Sequence, residues 1–240
     1  MEARINELLI RGHLGTGDML VMNSIVRHYA KEHQVCVVCK NRNLAMAAFM
    51  WRDLTQVELI GVENDDNDKE ADEATAHAEQ QGFPVLRLGF TGKKPFDIQK
   101  WDKEMYRQAG LDFSKCWNDF KVNRQPSREI YPIDVGRSDY CFIHEDRERG
   151  FVLNEKYLPK SRHGRKGGMK RIYADPKRTD NIFDWWNIID GATEIHVYES
   201  CFAILIAHLP EIKAKRVVVH DYVRKSVAPT YQNNFERIKV

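Results

Sequence analysis

Residues 7–18 read ELLIRGHLGTGD, and this stretch decides the fold that we expect. The apolar run at residues 8–10 is typical of a short buried strand. Three glycines follow it, and a helical pattern of apolar residues begins at Met19. Glycine is costly in ordered backbone, so this cluster indicates backbone conformations, or a close approach, that a side chain would forbid. The stretch therefore predicts a strand, a turn that a ligand approaches, and a helix.

The same alternation continues through the first half of the chain. We predict strands at 7–11, 34–39, 57–62 and 84–90, and helices at 19–33, 43–51 and 98–110. The acidic residues 63–73 lack an apolar face and read as a solvated loop or a helix start. Strands alternating with helices are the pattern of a parallel sheet wrapped by helices.

The second half repeats this pattern after residues 121–138, which contain two prolines and no strong periodicity. Here we predict strands at 139–144, 170–174, 194–199 and 216–220, and helices at 183–192 and 200–209. Two successive units of roughly 110–120 residues each predict an α/β protein of two Rossmann-like domains, with parallel sheets flanked by helices. The predicted domains are residues 1–125 and 126–240.

The bulk composition excludes several classes of protein. A hydrophobic share of 42% is that of a folded globular chain, and 37 Lys and Arg against 35 Asp and Glu do not point to nucleic acid as a partner. No apolar run approaches the ~18 residues that a membrane helix needs. Residues 1–11 carry four charges where a signal sequence would be apolar. We expect a cytoplasmic protein without a membrane span.

The glycine turn falls where open α/β sheets bind ligands, at the carboxyl edge between the first strand and the first helix. Backbone N–H groups and a helix N-terminus favour anions there. The spacing is neither GxGxxG nor GxxxxGK[ST], so dinucleotide and P-loop interpretations are weak. Asp18 is expected to cap the helix that begins at Met19.

Two blocks of this sequence resemble a known enzyme class. HLGTGDMLVMNSIVRHYAKEH (13–33) is similar to the first loop and helix of GT-B glycosyltransferases, particularly the family that contains the lipopolysaccharide heptosyltransferases. IIDGATEIHVYESCFAILIAHL (188–209) looks like the nucleotide-sugar site in the C-terminal domain of GT-B enzymes. The heptosyltransferase Asp-Ser-Gly turn is replaced here by Glu199-Ser200-Cys201. The resemblance implies two domains that face each other, with the acceptor on the N-terminal side and the donor on the C-terminal side.

The resemblance also implies roles for the residues of the first loop. The aspartate of this loop is the catalytic base in that family, which corresponds to Asp18. His13 is the competing candidate, because an imidazole with an ordinary pKa of about 6.5 suits deprotonation of a sugar hydroxyl. Gly15 and Gly17 would let a substrate approach the backbone.

The second domain offers residues for the donor. His144, Arg147 and Arg149 follow the strand at 139–144, where cations would meet the charge of a leaving diphosphate. Ser200 would begin the helix whose amides hold a phosphate, and Glu199 would accept hydrogen bonds from a ribose diol. We expect no metal and no cofactor beyond the nucleotide-sugar co-substrate, because Asp65, Asp66 and Asp68 lie in an acidic loop with no strand to fix them.

The sequence thus predicts a metal-independent, inverting glycosyltransferase of GT-B-like architecture that uses a nucleotide-sugar donor. It leaves the acceptor open among a glycan, a lipid, a small molecule and a modified nucleic acid, the last because residues 160–171 are rich in Lys and Arg. One alternative is a nucleotide- or glycan-binding protein of the same fold without catalysis. A nucleotide-sugar epimerase or dehydrogenase is less favoured, because the second strand ends in Cys39-Lys40-Asn41, without the acidic residue that binds a ribose.

Overall fold

The computed structural model describes residues 7–64, 68–92, 94–132, 139–161, 168–209, 212, 214, 216–224, 229–231 and 235–239. The chain divides into two compact units, Met1–Asn123 and Arg124–Val240. Each unit contains a parallel sheet flanked by helices, which confirms the predicted α/β class.

The sheet of the first unit has four parallel strands in the order β3-β2-β1-β4. Its elements in chain order are β1 (Glu7–Arg11), α1 (Thr16–Tyr29), β2 (Gln34–Lys40), α2 (Leu44–Trp51), β3 (Val57–Val62), α3 (Lys69–Gln80), β4 (Val85–Arg87), α4 (Trp101–Gln108) and α5 (Lys115–Asn118). Leu9, Val38 and Val62 pack with Ala71 of α3 on one face of the sheet. Period-2 alternation along the strands places these side chains on that face.

The sheet of the second unit has five parallel strands in the order β6-β5-β7-β8-β9. Its elements are β5 (Tyr140–Ile143), β6 (Lys170–Tyr173), α6 (Trp186–Gly191), β7 (Glu194–Tyr198), α7 (Cys201–His208), β8 (Arg216–His220) and β9 (Glu236–Ile238). Strands β5 and β7 are almost wholly buried at the centre of this sheet. Their near-continuous apolar runs are typical of a parallel sheet covered on both faces.

Several predicted boundaries are wrong, and each for a local reason. Helix α1 begins at Thr16 rather than Met19, because the Gly15 carbonyl accepts a 3.0 Å hydrogen bond from the Met19 amide. Gly15 is therefore the N-cap, and Asp18 lies inside the first turn without capping it. Strand β4 ends at Arg87 instead of residue 90, because Gly89 adopts a φ of +67° and starts a short 3-10 turn, Gly89–Thr91.

Three elements were not predicted as such: helix α3, the four-residue helix α5 and strand β9. Helix α3 lies partly in the stretch read as a solvated loop or helix start, and it buries only Ala71 and Thr75. Two small buried residues give too weak an apolar stripe to identify a helix from sequence. Strand β9 has only three residues and pairs with β8 at the sheet edge.

Candidate functional site

The topology marks one ligand-binding position in each sheet. In the first unit the chain runs from β1 outward through β2 and β3, and then returns to place β4 on the other side of β1. In the second unit β6 lies on one side of β5 and β7 on the other. Open α/β sheets bind ligands at such a switch point, beyond the carboxyl ends of the two diverging strands. The relevant loops therefore follow β1 and β4 in one unit, and β5 and β7 in the other.

His13 lies at the switch point of the first unit. Its ring stacks on Phe90, with the ring centroids 4.5 Å apart and the planes 20° from parallel. The Phe90 amide donates a 2.8 Å hydrogen bond to His13 Nε2, so this nitrogen is an acceptor. In the neutral ring the proton is therefore on Nδ1, which lies 3.2 Å from Asp18 Oδ1. The loop after β4 thereby fixes the tautomer that points a proton at Asp18.

Asp18 is held at the N-terminus of α1 with its second carboxylate oxygen uncommitted to His13. Its side chain is 27% exposed, against 15% for His13. The carboxylate lies in the first turn of the helix, whose N–H groups carry partial positive charge. A Cβ at residue 15 would collide with Asp18 Oδ2, which gives Gly15 a specific purpose.

The other glycines of this turn serve different purposes. A Cβ at Gly12 would meet the thioether of buried Met22, so this glycine allows α1 to pack closely on the turn. Gly17 lies inside α1, next to Asp18, and its amide belongs to the first turn of the helix. The structure thus brings together His13, Gly15 and Asp18, with Gly17 adjacent in the same helical turn.

Two residues that hold this turn in place were not predicted from the sequence. Buried Asn43 donates to the Leu14 carbonyl at 2.8 Å and accepts from the Thr16 hydroxyl at 3.1 Å, which ties the turn to the start of α2. Gly89 has a positive φ, and a Cβ there would collide with the His13 ring. Both residues come from other loops, so no local pattern around residues 12–18 contains them.

His144 occupies the corresponding position in the second unit. Its Nδ1 lies 3.0 Å from Ser200 Oγ, so a hydrogen bond joins the loop after β5 to the loop after β7. The ring stacks on Tyr198 at 5.0 Å and contacts Phe202 at 4.4 Å. These neighbours desolvate the ring and lower the pKa of His144 to about 3. His144 is therefore a neutral structural partner of Ser200, and the Ser200 backbone forms the N-cap of α7.

Arginines surround the N-terminus of α7. Arg149 donates a 2.6 Å hydrogen bond to Asp146 and lies 5.4 Å from the Phe151 ring centroid. Arg224, which sequence reasoning did not single out, lies 5.9 Å from the same centroid. Burial raises the pKa of the Cys201 thiol to about 11, and the charges of Arg149 and Arg224 oppose that rise. Both cations thus act on the first residue of α7.

The remaining predicted residues of this unit have other partners. Arg147 is exposed, forms a 2.8 Å ion pair with Glu145, and lies 5.9 Å from the Tyr173 ring centroid on β6. Glu199 is buried, and its two oxygens accept from Tyr231 at 2.8 Å and from Arg237 at 2.5 Å. Burial raises the pKa of Glu199 even though these two donors oppose the rise. Glu199 therefore anchors Tyr231 and the β9 residue Arg237 beside the switch point.

Some predicted features lie outside the described residues. These are Asp65 and Asp66 of the acidic loop, and most of the basic run, residues 162–167. Asp68 is described, and it pairs with Lys40 at 2.9 Å and with Arg11 at 3.4 Å. Within the described ranges, no three His, Cys, Asp or Glu side chains are grouped so that they could hold a metal ion. Nor does that part of the chain contain a helix with the length and apolar character needed to cross a membrane.

Comparison with known proteins identifies the fold but no family. No family model matches the chain, and no curated protein matches it. Among solved structures the chain is similar to the bacterial iron-containing dodecameric glycosyltransferase TibC from enterotoxigenic E. coli H10407, with a TM-score of 0.51 and 11% sequence identity. The match covers 92% of this chain and 59% of TibC, so the chain spans less than two thirds of that structure. The α/β fold of the chain is thus similar to that of this solved structure.

Proposed function

We propose that this chain is a glycosyltransferase of GT-B-like architecture that transfers a sugar from a nucleotide-sugar donor to an acceptor hydroxyl. The observation that carries the proposal is the His13–Asp18 pair, held by the glycine turn at the switch point of the first unit. The fold likeness to TibC supports glycosyl transfer at a coarse level. The facing arrangement of the two domains, the inverting outcome and a cytoplasmic location belong to the proposal.

The hydrogen bonds favour Asp18 over His13 as the base. Both ring nitrogens of His13 are engaged, Nε2 by the Phe90 amide and Nδ1 by Asp18. A base needs a free lone pair directed at the proton that it removes. Among the described residues no hydrogen bond occupies Asp18 Oδ2, whereas His13 engages Oδ1 and holds the carboxylate in place. We therefore assign Asp18 as the catalytic residue and His13 as a positioning residue.

In the proposed step, Asp18 Oδ2 accepts the proton of the acceptor hydroxyl. The acceptor oxygen forms a bond to the anomeric carbon of the donor sugar as the bond from that carbon to the diphosphate oxygen breaks. The leaving nucleoside diphosphate keeps the electron pair. A single displacement of this kind inverts the anomeric centre.

The second unit would bind the donor and stabilise its leaving group. The N–H groups at the start of α7 and the charges of Arg149 and Arg224 are suited to a diphosphate, because charge-assisted hydrogen bonds are the strong ones. We propose that these groups replace a metal ion, with Arg147 at the edge of the same loop. Glu199 would then order the chain around the nucleotide rather than serve as a free acceptor.

Nucleotide binding and donor hydrolysis test this function without knowledge of the acceptor. We expect one of UDP, GDP, ADP or CDP to raise the melting temperature of the whole chain, because a ligand that binds only the folded state stabilises it. The matching nucleotide-sugars should be hydrolysed slowly, both with and without EDTA. Binding without turnover would favour the non-catalytic binding protein, and activity lost to EDTA and restored by Mn²⁺ would contradict metal independence.

A further inference from the structure

The switch point of the first unit carries an aromatic surface that the transfer chemistry does not use. Phe90, Phe96 and Trp101, here called the aromatic platform, all lie against the His13 ring, at centroid distances of 4.5, 6.2 and 6.2 Å. Phe90 and Phe96 also contact each other at 4.7 Å. Phe90 is 52% exposed, and Ile98 in the same segment is 47% exposed. Phe96 and Trp101 are half-buried, so Phe90 presents an exposed ring that two further rings and His13 support, which is suited to a binding surface.

The backbone holds the aromatic platform in its exposed position. The Phe90 amide donates to His13, and Gln108 bonds both the Gly89 amide at 2.5 Å and the Gly89 carbonyl at 3.1 Å. The Thr91 hydroxyl donates to the Arg11 carbonyl at 3.1 Å. Three separate elements, β1, α4 and the glycine turn, therefore fix this loop. The exposure of Phe90 is built into the fold and does not arise from a loose loop.

We propose that the aromatic platform binds the acceptor and that the acceptor is a saccharide, whose apolar ring face stacks on Phe90. This inference rests on the proposed function and names the class of its acceptor. A pyranose combines a C–H face, which suits the negative face of an aromatic ring, with hydroxyls at the ring edge. Phe90 stacks on His13, whose Nδ1 lies 3.2 Å from Asp18 Oδ1, so a sugar bound at the platform lies in the same cluster of loops as the proposed base.

The surrounding charges favour a saccharide over a nucleic acid. Asp18 lies 3.2 Å from the His13 ring that the platform packs against, and Lys94 lies 5.4 Å from the Phe96 ring centroid. Proteins that stack bases on aromatic rings also line the backbone path with cations. A phosphate backbone at this position would meet the Asp18 carboxylate, whereas a neutral sugar ring carries no such cost.

The test measures binding of methyl pyranosides to the full chain by saturation-transfer difference NMR. The probes are the methyl glycosides of glucose, galactose, mannose and N-acetylglucosamine. We expect at least one to bind at millimolar concentration, with the strongest transfer to the protons of one ring face. Phe90→Ala should weaken that binding roughly three- to tenfold, the range expected for one lost aromatic contact, and Phe90→Tyr should retain it.

The control is Phe83→Ala. Phe83 is 43% exposed and precedes β4, so it lies at the opposite edge of the same sheet. This variant should bind as the wild type does. The inference is overturned if the wild type binds none of the four glycosides, or if Phe90→Ala binds as tightly as Phe83→Ala. Binding of oligouridylate that Phe90→Ala abolishes, with no glycoside bound, would assign the platform to nucleic acid instead.

Donor hydrolysis on the same samples separates this inference from the proposed function. Glycoside binding without any hydrolysis of nucleotide-sugars would leave the platform as a saccharide site and reject the transferase. Hydrolysis without glycoside binding would retain the transferase and reject the saccharide assignment.

Discussion

The two switch points place a histidine at equivalent positions and use it in opposite ways. In the first unit His13 follows β1, stacks on the exposed ring of Phe90 and directs its Nδ1 proton at a carboxylate. In the second unit His144 follows β5, is desolvated by Tyr198 and Phe202, and bonds the Ser200 hydroxyl. The topology decides where a side chain can act, and the loop opposite each histidine decides what it does. The first switch point positions the Asp18 carboxylate, and the second has Arg149 and Arg224 near the start of α7.

We expect the largest effect from neutralising the carboxylate that His13 holds. We expect Asp18→Asn to lower turnover by roughly 10²–10⁴-fold, the range for a lost general base. The melting temperature should stay close to that of the wild type, because Asp18 does not cap α1. Steady-state kinetics with any donor and acceptor pair measures the effect.

His13→Ala is the matched variant for this prediction. Since His13 acts through Asp18, its loss should lower turnover less than Asp18→Asn does. The reverse order of effects would make His13 the base and Asp18 its partner, and equal turnover in all three proteins would remove this turn from the chemistry.

Two buried histidines should make the stability of the second unit sensitive to acid. In the second unit a continuous chain of hydrogen bonds joins the Asn154 amide, Tyr222, His220, His196 and Glu194. All its donors and acceptors match when both histidines are neutral, because each bond then has one proton. Burial lowers the pKa of His220 to about 4, aided by His196 and Arg216 and opposed by Asp221 and Glu236. Burial also lowers the pKa of His196, although the hydrogen bond and the charge of Glu194 act to raise it.

The sign of the pH effect follows from the lowered pKa values. Above pH 6.5 neither state protonates these histidines, so the chain of bonds is intact. Below pH 6.5 these histidines bind protons in the unfolded chain but not in the folded chain. The free energy of unfolding therefore falls until the pH reaches about 4. For His220 alone the free energy of unfolding should fall by about 3 kcal/mol across this window. Urea unfolding at a series of pH values measures it.

His220→Gln should flatten this decline, although it is less stable than the wild type at neutral pH. His77→Gln, which removes an exposed histidine of α3, should leave the decline unchanged. A decline of equal slope in all three proteins would show that the buried pair does not cause it.

The cations of the second unit give a smaller expected effect. Arg224→Ala should weaken binding of the nucleoside diphosphate about 10- to 100-fold, because a hydrogen bond to a charged group contributes roughly 1.5–3 kcal/mol. Arg178→Ala is the control, since Arg178 lies 5.5 Å from the Trp185 ring centroid and follows β6, the edge strand of the sheet, rather than β7. Isothermal titration calorimetry with the diphosphate that binds best would compare them. Equal losses in both variants would indicate a general loss of positive charge rather than a site.

The sequence predicted the two parallel sheets because their strands are short apolar runs with turn residues between them. It also located both switch-point loops, since each follows directly from the first strand of its unit. The N-cap was assigned to Asp18 instead of Gly15, because glycine leaves no side-chain signal at a cap. Helix α3 lacked the apolar stripe that identifies a helix.

The parts of the candidate sites that the sequence missed share one physical cause. Asn43, Gly89 and Phe90 reach the glycine turn from loops far along the chain, and Arg224 reaches Phe151 in the same way. Such contacts depend on strand order, which short-range patterns do not encode. His13 and Asp18 are five residues apart on one turn, so the sequence offered both as competing bases, although not as a hydrogen-bonded pair.

The smallest effect that we predict concerns the glycine between this pair. Gly15 has an extended backbone, with φ −73° and ψ 150°, so alanine fits the backbone without strain. The added Cβ would still collide with Asp18 Oδ2, and the carboxylate would have to rotate. Holding a side chain off its preferred rotamer costs on the order of 1 kcal/mol. Turnover of Gly15→Ala should therefore fall about fivefold, much less than for Asp18→Asn, because the carboxylate remains present.

Gly12→Ala completes this test, because the two glycines are three residues apart on the same turn. Its Cβ meets buried Met22 rather than the carboxylate, so it should lower the free energy of unfolding by about 1–3 kcal/mol as an overpacked core does. Thermal unfolding and turnover should be measured on both variants. We expect Gly15→Ala to lose activity and Gly12→Ala to lose stability. If both variants lost only stability, Gly15 would be a packing glycine like Gly12. The first unit would then lack the arrangement that distinguishes it from the second.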